Sequence, residues 1–522
     1  MKRIGSCPAC GAPVEFKLSA ALVTICDSCH SVVARGDKRL EDHGQVADLT
    51  ETDSPVDVGM RGKFERKSFE VVGRVQYRHP AGGVWDEYYL KFPGDKVRWL
   101  AVAQGKLYLT TERRPSQQTP LPSIDSLKVG DQLRLADGKG LVIAETGVAT
   151  TASAEGEIPW EFRPNAEHRF ADLHGENLEF ATIEESNTET GPRMFVGREV
   201  TVDELSLGGS ARTISGFASP NTAALQVNCP QCAGPLNLYA PDKTLRVCCP
   251  NCGALLDCQL GKLQYLQTLI HNKNLTPLIP LGAVGTFEEK EFTIIGFMER
   301  YVVEEGTRYS WSEYLLYNPS AGFRWLINNK GHWSFAESIT CGATPANNSV
   351  TFGGTTYRLY DRGNAHVGHV LGEFYWQVNT GETARTEDYI APPFMLSFER
   401  SSSAGGEELV VTKSTYLDID TLEAAFGVKD LPRPWGIGTI QPQAPLPTEF
   451  WWILIGTIGL LTVIYSGFLS FGQNASANDY MGHLIAAIGL IAAWPAVVFA
   501  IRYGFESKRW EDSDYSPYLK AE

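Results

Sequence analysis

The stretch Val227-Asn-Cys-Pro-Gln-Cys-Ala-Gly-Pro235, followed by Cys249-Pro-Asn-Cys252, decides the fold of this chain. It opens a segment, residues 227–427, that repeats residues 5–205. Both segments begin with two Cys-x-x-Cys pairs and continue into a region rich in glycine, aromatic and β-branched residues. Self-similarity over so long a period indicates a tandem duplication, which has to be recognised before a fold class is assigned.

The two copies also share ordered landmarks outside the cysteines. These are Gly62-Lys-Phe64 and Gly285-Thr-Phe287, Trp85-Asp-Glu87-Tyr88 and Trp311-Ser-Glu313-Tyr314, Arg98-Trp99-Leu100 and Arg324-Trp325-Leu326, and Gly156-Glu157 with Trp160 and Gly372-Glu373 with Trp376. Between them, runs such as 68–77 mix alternation with β-branched residues, which favours short strands. We therefore predict a mainly β chain in which each copy is a four-cysteine zinc ribbon followed by an antiparallel β barrel or sandwich.

The paired cysteines predict two structural Zn²⁺ sites. The ligands would be Cys7, Cys10, Cys26 and Cys29 in the first ribbon, and Cys229, Cys232, Cys249 and Cys252 in the second. Two knuckles can direct four thiolates toward one tetrahedral metal ion. A ribbon this small would take its folding free energy from the metal. The alternative of redox dithiols requires a βαβ context that the pattern lacks. His30, which follows Cys29, is an alternative fourth ligand of the first site.

Composition limits the classes of function. A chain of 522 residues has room for three or four domains. The formal net charge of −15 makes a polyanion binder a poor first interpretation, so no nucleic acid is expected as a partner. Nucleic-acid binding through the ribbons remains a third alternative, which salt-dependent DNA retention would support.

The C-terminal part predicts a helical hairpin in a membrane. Residues 451–471 and 481–501 contain no Asp, Glu, Lys or Arg, and each is long enough to cross a bilayer. Basic residues follow the second segment, and the loop between the two has none, so the positive-inside rule places both termini in the cytoplasm. The sequence therefore predicts a multi-pass inner-membrane protein whose bulk is cytoplasmic, in agreement with reduced cysteines.

These patterns together predict the domain organisation. The segments are zinc ribbon 1 at 1–36, β domain 1 at 55–205, a linker at 206–226, zinc ribbon 2 at 227–260, β domain 2 at 276–427, a proline-rich tether at 428–449, the transmembrane hairpin at 450–503 and a cytoplasmic tail at 504–522. A polar segment at 37–54 is interpreted as a further linker. A short helix is predicted at 421–426, with Asp420 as N-cap and Gly427 as its end.

Three pairs of matched charged residues are candidate ligand-binding or structural groups. They are Glu87 and Glu313, Arg98 and Arg324, and Glu157 and Glu373. Each copy could combine its first Glu with its Arg in a buried ion pair, which is costly to break, or use the two for a ligand. The last two carboxylates could bind a cation such as a polyamine beside an aromatic ring, or a backbone turn. No catalytic residue or organic cofactor is predicted.

At the Trp-x-Glu-Tyr, Arg-Trp-Leu and Gly-Glu-x-x-Trp landmarks, each β domain resembles a bacterial family catalogued as domain of unknown function 4178. The resemblance covers roughly residues 55–205 and 276–427, and a zinc ribbon precedes each. Pro159 stands where the second copy has Tyr375, so a ligand site near these positions could differ between the copies. The family implies no assigned reaction. Its members are expected to accompany phage-shock-type membrane-stress proteins and polyamine-related enzymes.

Two main hypotheses of function follow. The first is a non-enzymatic, membrane-anchored adaptor or regulatory protein that presents two zinc-ribbon and β units to protein partners, with the bilayer contacted through 450–503. The second is an enzyme, such as a polyamine-related modifying activity that uses carboxylates of the β domains. Substitution of Glu87 and Glu313 together would separate them, because an enzyme would lose activity while a structural pair would lose stability.

Overall fold

The computed structural model divides the chain into two compact units, Met1–Arg433 and Pro434–Glu522. It describes residues 3–16, 21–35, 40–47, 49–50, 52, 54–113, 120–135, 138–160, 162–186, 191–208, 224–241, 243–259, 262–269, 276–403, 406–444, 452–453, 455–457, 459–460, 463 and 477–518. The described part of the first unit is mainly β, as predicted.

The first copy opens with a ribbon of short strands, here called ribbon 1. Its strands are β1 (Arg3–Ser6), β2 (Pro13–Phe16), β3 (Val23–Ile25), β4 (Ser31–Arg35) and β5 (Leu40–Gln45). β1 pairs with β2, while β3, β4 and β5 form an antiparallel sheet. The segment interpreted as a linker at 37–54 thus contains β5.

A closed sheet, here called barrel 1, follows ribbon 1. The strands are β6 (Arg61–Phe64), β7 (Lys67–Arg78), β8 (Val84–Phe92), β9 (Lys96–Ala103), β10 (Lys106–Arg113), β11 (Gln132–Arg134), β12 (Gly140–Ile158), β13 (Glu167–His174), β14 (Glu179–Ser186) and β15 (Arg193–Val200), before a short helix α1 (Val202–Leu205). Eight of these described strands pair in the order β7-β8-β9-β10-β15-β14-β13-β12, and β12 returns to β7. An interior of this size is filled by side chains or holds one small ligand.

The second copy repeats this architecture. Ribbon 2 consists of β16 (Leu225–Asn228), β17 (Pro235–Leu238), β18 (Arg246–Cys248), β19 (Ala254–Gln259) and β20 (Lys262–Thr268). Barrel 2 consists of β21 (Val284–Phe287), β22 (Lys290–Glu304), β23 (Thr307–Asn318), β24 (Gly322–Asn329), β25 (His332–Ser338), β26 (Ser349–Phe352), β27 (Thr355–Phe374), β28 (Thr383–Ala391), β29 (Phe394–Ser403) and β30 (Gly406–Leu417). Its described strands close in the matching order β22-β23-β24-β25-β30-β29-β28-β27.

Each ribbon is hydrogen-bonded to its own barrel. β3 pairs with the end of β12, and β18 pairs with the end of β27. Apolar side chains of ribbon 1, such as Val23 and Ile25, share a buried cluster with Val75 and Ile158 of barrel 1. The sheet and the core are therefore continuous from ribbon to barrel.

Two glycine pairs explain landmarks that both copies share. Gly73 lies opposite Gly156 on β7 and β12, and Gly296 lies opposite Gly372 on β22 and β27. A Cβ atom on Gly296 would lie 2.4 Å from the carbonyl oxygen of Glu373. The strands approach too closely here for any side chain, at the point where each barrel meets its ribbon.

The two barrels also contact each other. Glu145–Gly147 of β12 pair with Gly406–Glu408 of β30. The Thr340 hydroxyl donates a hydrogen bond of 2.7 Å to Glu199 Oε2, which joins the barrels a second time. The two copies thus belong to one compact unit.

Helix α2 (Ile419–Phe426) begins two residues before the predicted 421–426. Its N-cap is Asp418, whose carboxylate accepts a hydrogen bond of 2.9 Å from the backbone N–H of Asp420. Asp420 therefore lies inside the first turn, and its prediction as N-cap is wrong. Gly427 ends the helix with a left-handed φ of 64°, as predicted.

The predicted transmembrane hairpin is contradicted. Among the residues that the structure describes, no helix is long and apolar enough to cross a membrane. Most of the first predicted span, 451–471, lies outside the described residues. The second predicted span, 481–501, lies within helix α3 (Ala477–Arg509). The last residue of this helix, Arg509, is buried and donates a 3.0 Å hydrogen bond to the carbonyl oxygen of Gly438. The lack of a membrane-crossing helix among the described residues contradicts the prediction of a multi-pass inner-membrane protein.

The close approach of β22 and β27 at Gly296 leads to a stability prediction. Gly296→Ala should lower the free energy of unfolding by about 1–3 kcal/mol, because the added methyl group overlaps a backbone oxygen. Gly363→Ala is the matched control in the same barrel, since a Cβ there would meet nothing closer than 3.5 Å. Urea denaturation of the metal-loaded chain measures both. Equal loss of stability in the two variants would contradict the close approach.

Candidate functional site

The eight paired cysteines converge on two points. The Sγ–Sγ distances are 3.7 Å for Cys7–Cys29 and for Cys10–Cys26 in ribbon 1, and the four sulfur atoms of each ribbon lie within 4.8 Å of one another. In ribbon 2 the distances are 3.8 Å for both matching pairs. Tetrahedral coordination with Zn–S bonds of about 2.3 Å places sulfur atoms about 3.8 Å apart.

Disulfides are not formed at these positions. All of the cysteines in the described residues are free, and a disulfide would require sulfur atoms about 2.0 Å apart. Each four-cysteine group could therefore bind a metal ion, and its geometry is compatible with zinc.

The same backbone turn builds all four knuckles. Four residues after the first cysteine of each pair, an N–H donates to that cysteine's carbonyl oxygen, and φ at this position is positive. The four residues are Gly11, His30, Ala233 and Gly253. His30 occupies this turn position with φ of 57°, and the four sulfur atoms already complete a tetrahedral set beside it. The alternative of His30 as a ligand therefore finds no support in the geometry.

Glu373 connects ribbon 2 to barrel 2. Its carboxylate is 1% exposed and accepts hydrogen bonds from the backbone N–H of Tyr239 at 2.7 Å and of Ala240 at 3.2 Å. The hydroxyl of Thr244 donates a third at 2.8 Å. These donors belong to the loop between the two knuckles, so Glu373 binds a backbone turn. Glu157 is also buried and lies at the matching register, opposite Thr24 of ribbon 1.

The structure does not bring the other predicted pairs together. On β8 and β9, Glu87 lies opposite Ala101 and Arg98 lies opposite Leu90, so the alternation of the strand places the two charged side chains on opposite faces. Arg98 instead lies over the ring of Phe92. In barrel 2, Arg324 is separated from Glu313 in the same way and pairs with Glu337 at 3.4 Å.

Glu87 and Glu313 point into the interior of their barrels and accept a hydrogen bond from a neighbouring indole. The Nε1–H of Trp85 donates to Glu87 at 3.1 Å, and that of Trp311 donates to Glu313 at 2.7 Å. The interior position is shown by Trp85, whose ring meets that of Phe170 on β13 across barrel 1, with centroids 5.8 Å apart.

Two further carboxylates join each of these glutamates. Asp172 on β13 pairs with Thr182, and Asp388 on β28 pairs with Ser397, at the same register of the two barrels. Two residues further along the neighbouring strands, and therefore on the same face of the sheet, Glu184 lies opposite Phe170, and Glu399 lies opposite Thr386. Each barrel therefore holds a carboxylate triad, which is Glu87, Asp172 and Glu184 in barrel 1 and Glu313, Asp388 and Glu399 in barrel 2.

Barrel 2 contains its own cation. Arg300 on β22 reaches across the interior and donates two hydrogen bonds to Glu399, at 2.9 Å and 2.6 Å, and lies 3.6 Å from Glu313. Burial raises the pKa of Glu313, while Arg300 opposes this rise. The triad of barrel 2 is thus bound to a guanidinium group supplied by the chain itself.

A family comparison identifies the two barrels. The family described as Domain of unknown function (DUF4178) matches residues 57–202 and 280–418, which together make up more than half of the chain. The chain belongs to this family. The two matches coincide with barrel 1 and barrel 2, so the prediction of two DUF4178 copies is confirmed.

The similarity of this chain to solved structures is too weak to indicate a fold or a function. The chain is 8% identical to a point mutant of transferrin binding protein B from Haemophilus parasuis Hp5, over 80% of this chain and 86% of that one, with a TM-score of 0.12. It is 10% identical to MucB in complex with MucA(peri), over 71% and 95% of the two chains, with a TM-score of 0.10. Comparison with curated proteins finds no match.

Sequence reasoning missed the second and third members of each triad. β12 and β27 both contain register shifts, and the loops differ in length, so Asp172 and Asp388 do not stand in matching sequence contexts. Only the strand register of the DUF4178 barrels aligns them. The shared Trp-x-Glu motif is the sequence signal for the triads, and it identifies only their first members, Glu87 and Glu313.

The knuckle geometry generates a prediction for ribbon 2. Ala233→Gly should stabilise the metal-loaded ribbon by up to about 1 kcal/mol, because it relieves a non-glycine residue of a left-handed conformation. The matched control, Gly11→Ala, should destabilise ribbon 1, since φ there is +78° and the added Cβ meets nothing within 4 Å. Resistance of bound metal to a competing chelator measures both effects. A loss of metal retention in Ala233→Gly, or a gain in Gly11→Ala, would contradict the shared turn.

The Arg300 contacts generate a second prediction. Glu399→Gln should lower the free energy of unfolding by about 3 kcal/mol, because it removes a charged partner from a buried guanidinium. Glu337→Gln is the matched control, and its loss should stay below about 1 kcal/mol because Glu337 is a half-exposed partner of Arg324. Thermal or urea unfolding of the two variants tests the difference, and similar losses would refute the role assigned to Arg300.

Proposed function

We propose that this chain is a non-catalytic adaptor in which two zinc ribbons hold a pair of DUF4178 barrels as a platform for protein partners. The observation that carries the proposal is the geometry of the two four-cysteine groups, whose sulfur atoms match the edges of a tetrahedral zinc site. Four protein ligands leave no open coordination position, which is typical of structural zinc and not of catalytic zinc.

Zinc is the metal that best suits this donor set. Thiolates are soft ligands, and a tetrahedral set of four is characteristic of zinc or of iron–sulfur centres. The knuckles belong to small ribbons with few buried residues of their own, such as Val14 and Val33 in ribbon 1. Metal binding would therefore supply much of the folding free energy of each ribbon.

The ribbons are coupled to the barrels through backbone and side chain. Val247 of β18 pairs with Glu373 of β27, and the carboxylate of Glu373 binds the loop between the knuckles. Loss of metal from ribbon 2 would release that loop and leave a buried carboxylate without its donors. Zinc would therefore set the shape of one end of each barrel, which is the surface presented to partners.

An exposed strand edge supports protein partners in particular. Among the described strands, β20 pairs only with β19, and its side chains Tyr265 and Leu266 are each more than 40% exposed. A free edge with exposed apolar side chains is suited to pairing with an extended segment of another protein. Partner binding at this edge would depend on the zinc that folds ribbon 2.

Zinc analysis and partner recovery test the proposal. The purified chain should contain two zinc ions, and Cys229→Ser with Cys232→Ser should reduce this to one, as measured by elemental analysis. Proteins crosslinked to the intact chain in its native cells should be lost from this variant and from Tyr265→Asp with Leu266→Asp. The matched variant with Cys7→Ser and Cys10→Ser should lose one zinc ion and retain the partners that bind β20.

Two results would contradict the proposal. One is a chain without stoichiometric zinc. The other is a set of crosslinked partners that is the same for the intact chain, the Cys229 and Cys232 variant and the β20 variant.

A further inference from the structure

We infer that the interior of barrel 1 is a binding site for a small guanidinium-type cation, held by Glu87, Asp172 and Glu184. This site is separate from the zinc ribbons and goes beyond the adaptor role. It rests on a comparison between the two copies within one chain, because barrel 2 holds the same three carboxylates together with their cation.

The two barrels differ at the position of that cation. Arg300 lies opposite Trp311 in barrel 2, and Tyr77 lies opposite Trp85 at the same register of barrel 1. The guanidinium of Arg300 lies 5.9 Å from the centre of the Trp311 ring. In barrel 1, the ring of Tyr77 stacks on Trp85 at 5.2 Å. A neutral ring thus replaces the guanidinium, while all three carboxylates are kept.

An unpartnered hydroxyl points to a ligand independently. Tyr89 follows Glu87 by two residues on β8, so both side chains project from the same face of the strand into the barrel. Tyr89 is 0% exposed, and its hydroxyl has no hydrogen-bond partner among the described residues. The matching residue of barrel 2 is Leu315, which needs none. A buried hydroxyl without a partner is costly, and a ligand nitrogen would relieve that cost.

The cationic side chains near the triad are already engaged. His79 Nε2 lies 2.6 Å from Glu145 Oε1, and Arg193 donates a 3.0 Å hydrogen bond from Nε to Glu112. Burial raises the pKa of Asp172 and of Glu184 to about 7 each, even though His79 lowers the first and Arg193 lowers the second. Burial thus favours the protonated forms of these carboxyl groups, and the guanidinium of Arg193, which lies opposite Glu184 on the neighbouring strand, opposes this only in part. A bound cation would favour the charged forms of the triad.

The chemical class of the ligand follows from Arg300. A planar guanidinium can donate parallel hydrogen bonds to a carboxylate, as Arg300 does to Glu399. The aromatic faces of Tyr77 and Trp85 suit a flat, weakly hydrated cation. Asp172 and Glu184 are half-buried residues. The site thus fits an alkylguanidinium better than a strongly hydrated metal ion.

Calorimetric titration of the zinc-loaded full chain tests this inference. The probe is methylguanidinium, and methylurea is its neutral control of the same shape. One methylguanidinium should bind per chain, and methylurea should show no saturable binding. Glu184→Gln should weaken the binding about tenfold or more, because it removes a charged hydrogen-bond acceptor. Glu337→Gln, in the other barrel, should leave it unchanged.

Tyr77→Arg provides the decisive variant, because it reproduces the arrangement of barrel 2. This variant should bind no methylguanidinium and should unfold at a higher temperature than the parent chain. Absence of saturable methylguanidinium binding would overturn the inference, as would equal binding of methylurea. Binding of Mg²⁺ or Ca²⁺ in place of methylguanidinium would overturn it too, and so would unchanged binding in Glu184→Gln.

Discussion

The convergence of four sulfur atoms on one point is the constraint on which each half of this structure depends. Each ribbon has only short strands, and its knuckles bring sulfur atoms to within 3.7–3.8 Å of their nearest partners. Such close thiols gain little from one another, whereas a shared metal ion holds the strands together. Because β3 and β18 are hydrogen-bonded to β12 and β27, whatever stabilises the ribbon also stabilises one end of the barrel.

The two copies of the fold differ in how their buried carboxylates are compensated. In barrel 2, Arg300 pairs with Glu313 and Glu399 and so compensates the carboxylate triad from within the chain. In barrel 1, Tyr77 stands at the matching register, and burial raises the pKa of all three carboxyl groups. Burial of carboxyl groups that are only partly compensated by Arg193 is destabilising, so a compensating gain would favour their retention. A bound cation is such a gain, and it assigns a different role to each copy.

The parts of the fold that could be predicted from the sequence are those with strong local spacing. The spacing of the cysteine pairs predicts their clustering, and all four pairs of this chain form the same turn. The shared Trp-x-Glu and glycine landmarks predict the duplication, which the family match confirms. Grouping Glu87 with Arg98 failed because neighbouring strands place them on opposite faces. The other triad members were missed because register shifts change their spacing, and the C-terminal spans were predicted from apolar length alone.

The most direct measurement of the central claim is X-ray absorption spectroscopy at the zinc edge on the purified full-length chain. A tetrahedral set of four sulfur ligands predicts a first shell of sulfur only, with a Zn–S distance of about 2.3 Å. Both sites should give this same shell, since the sulfur arrangement is the same in the two ribbons. A spectrum with nitrogen or oxygen in the first shell, or a chain without zinc whose cysteines form disulfides, would contradict it.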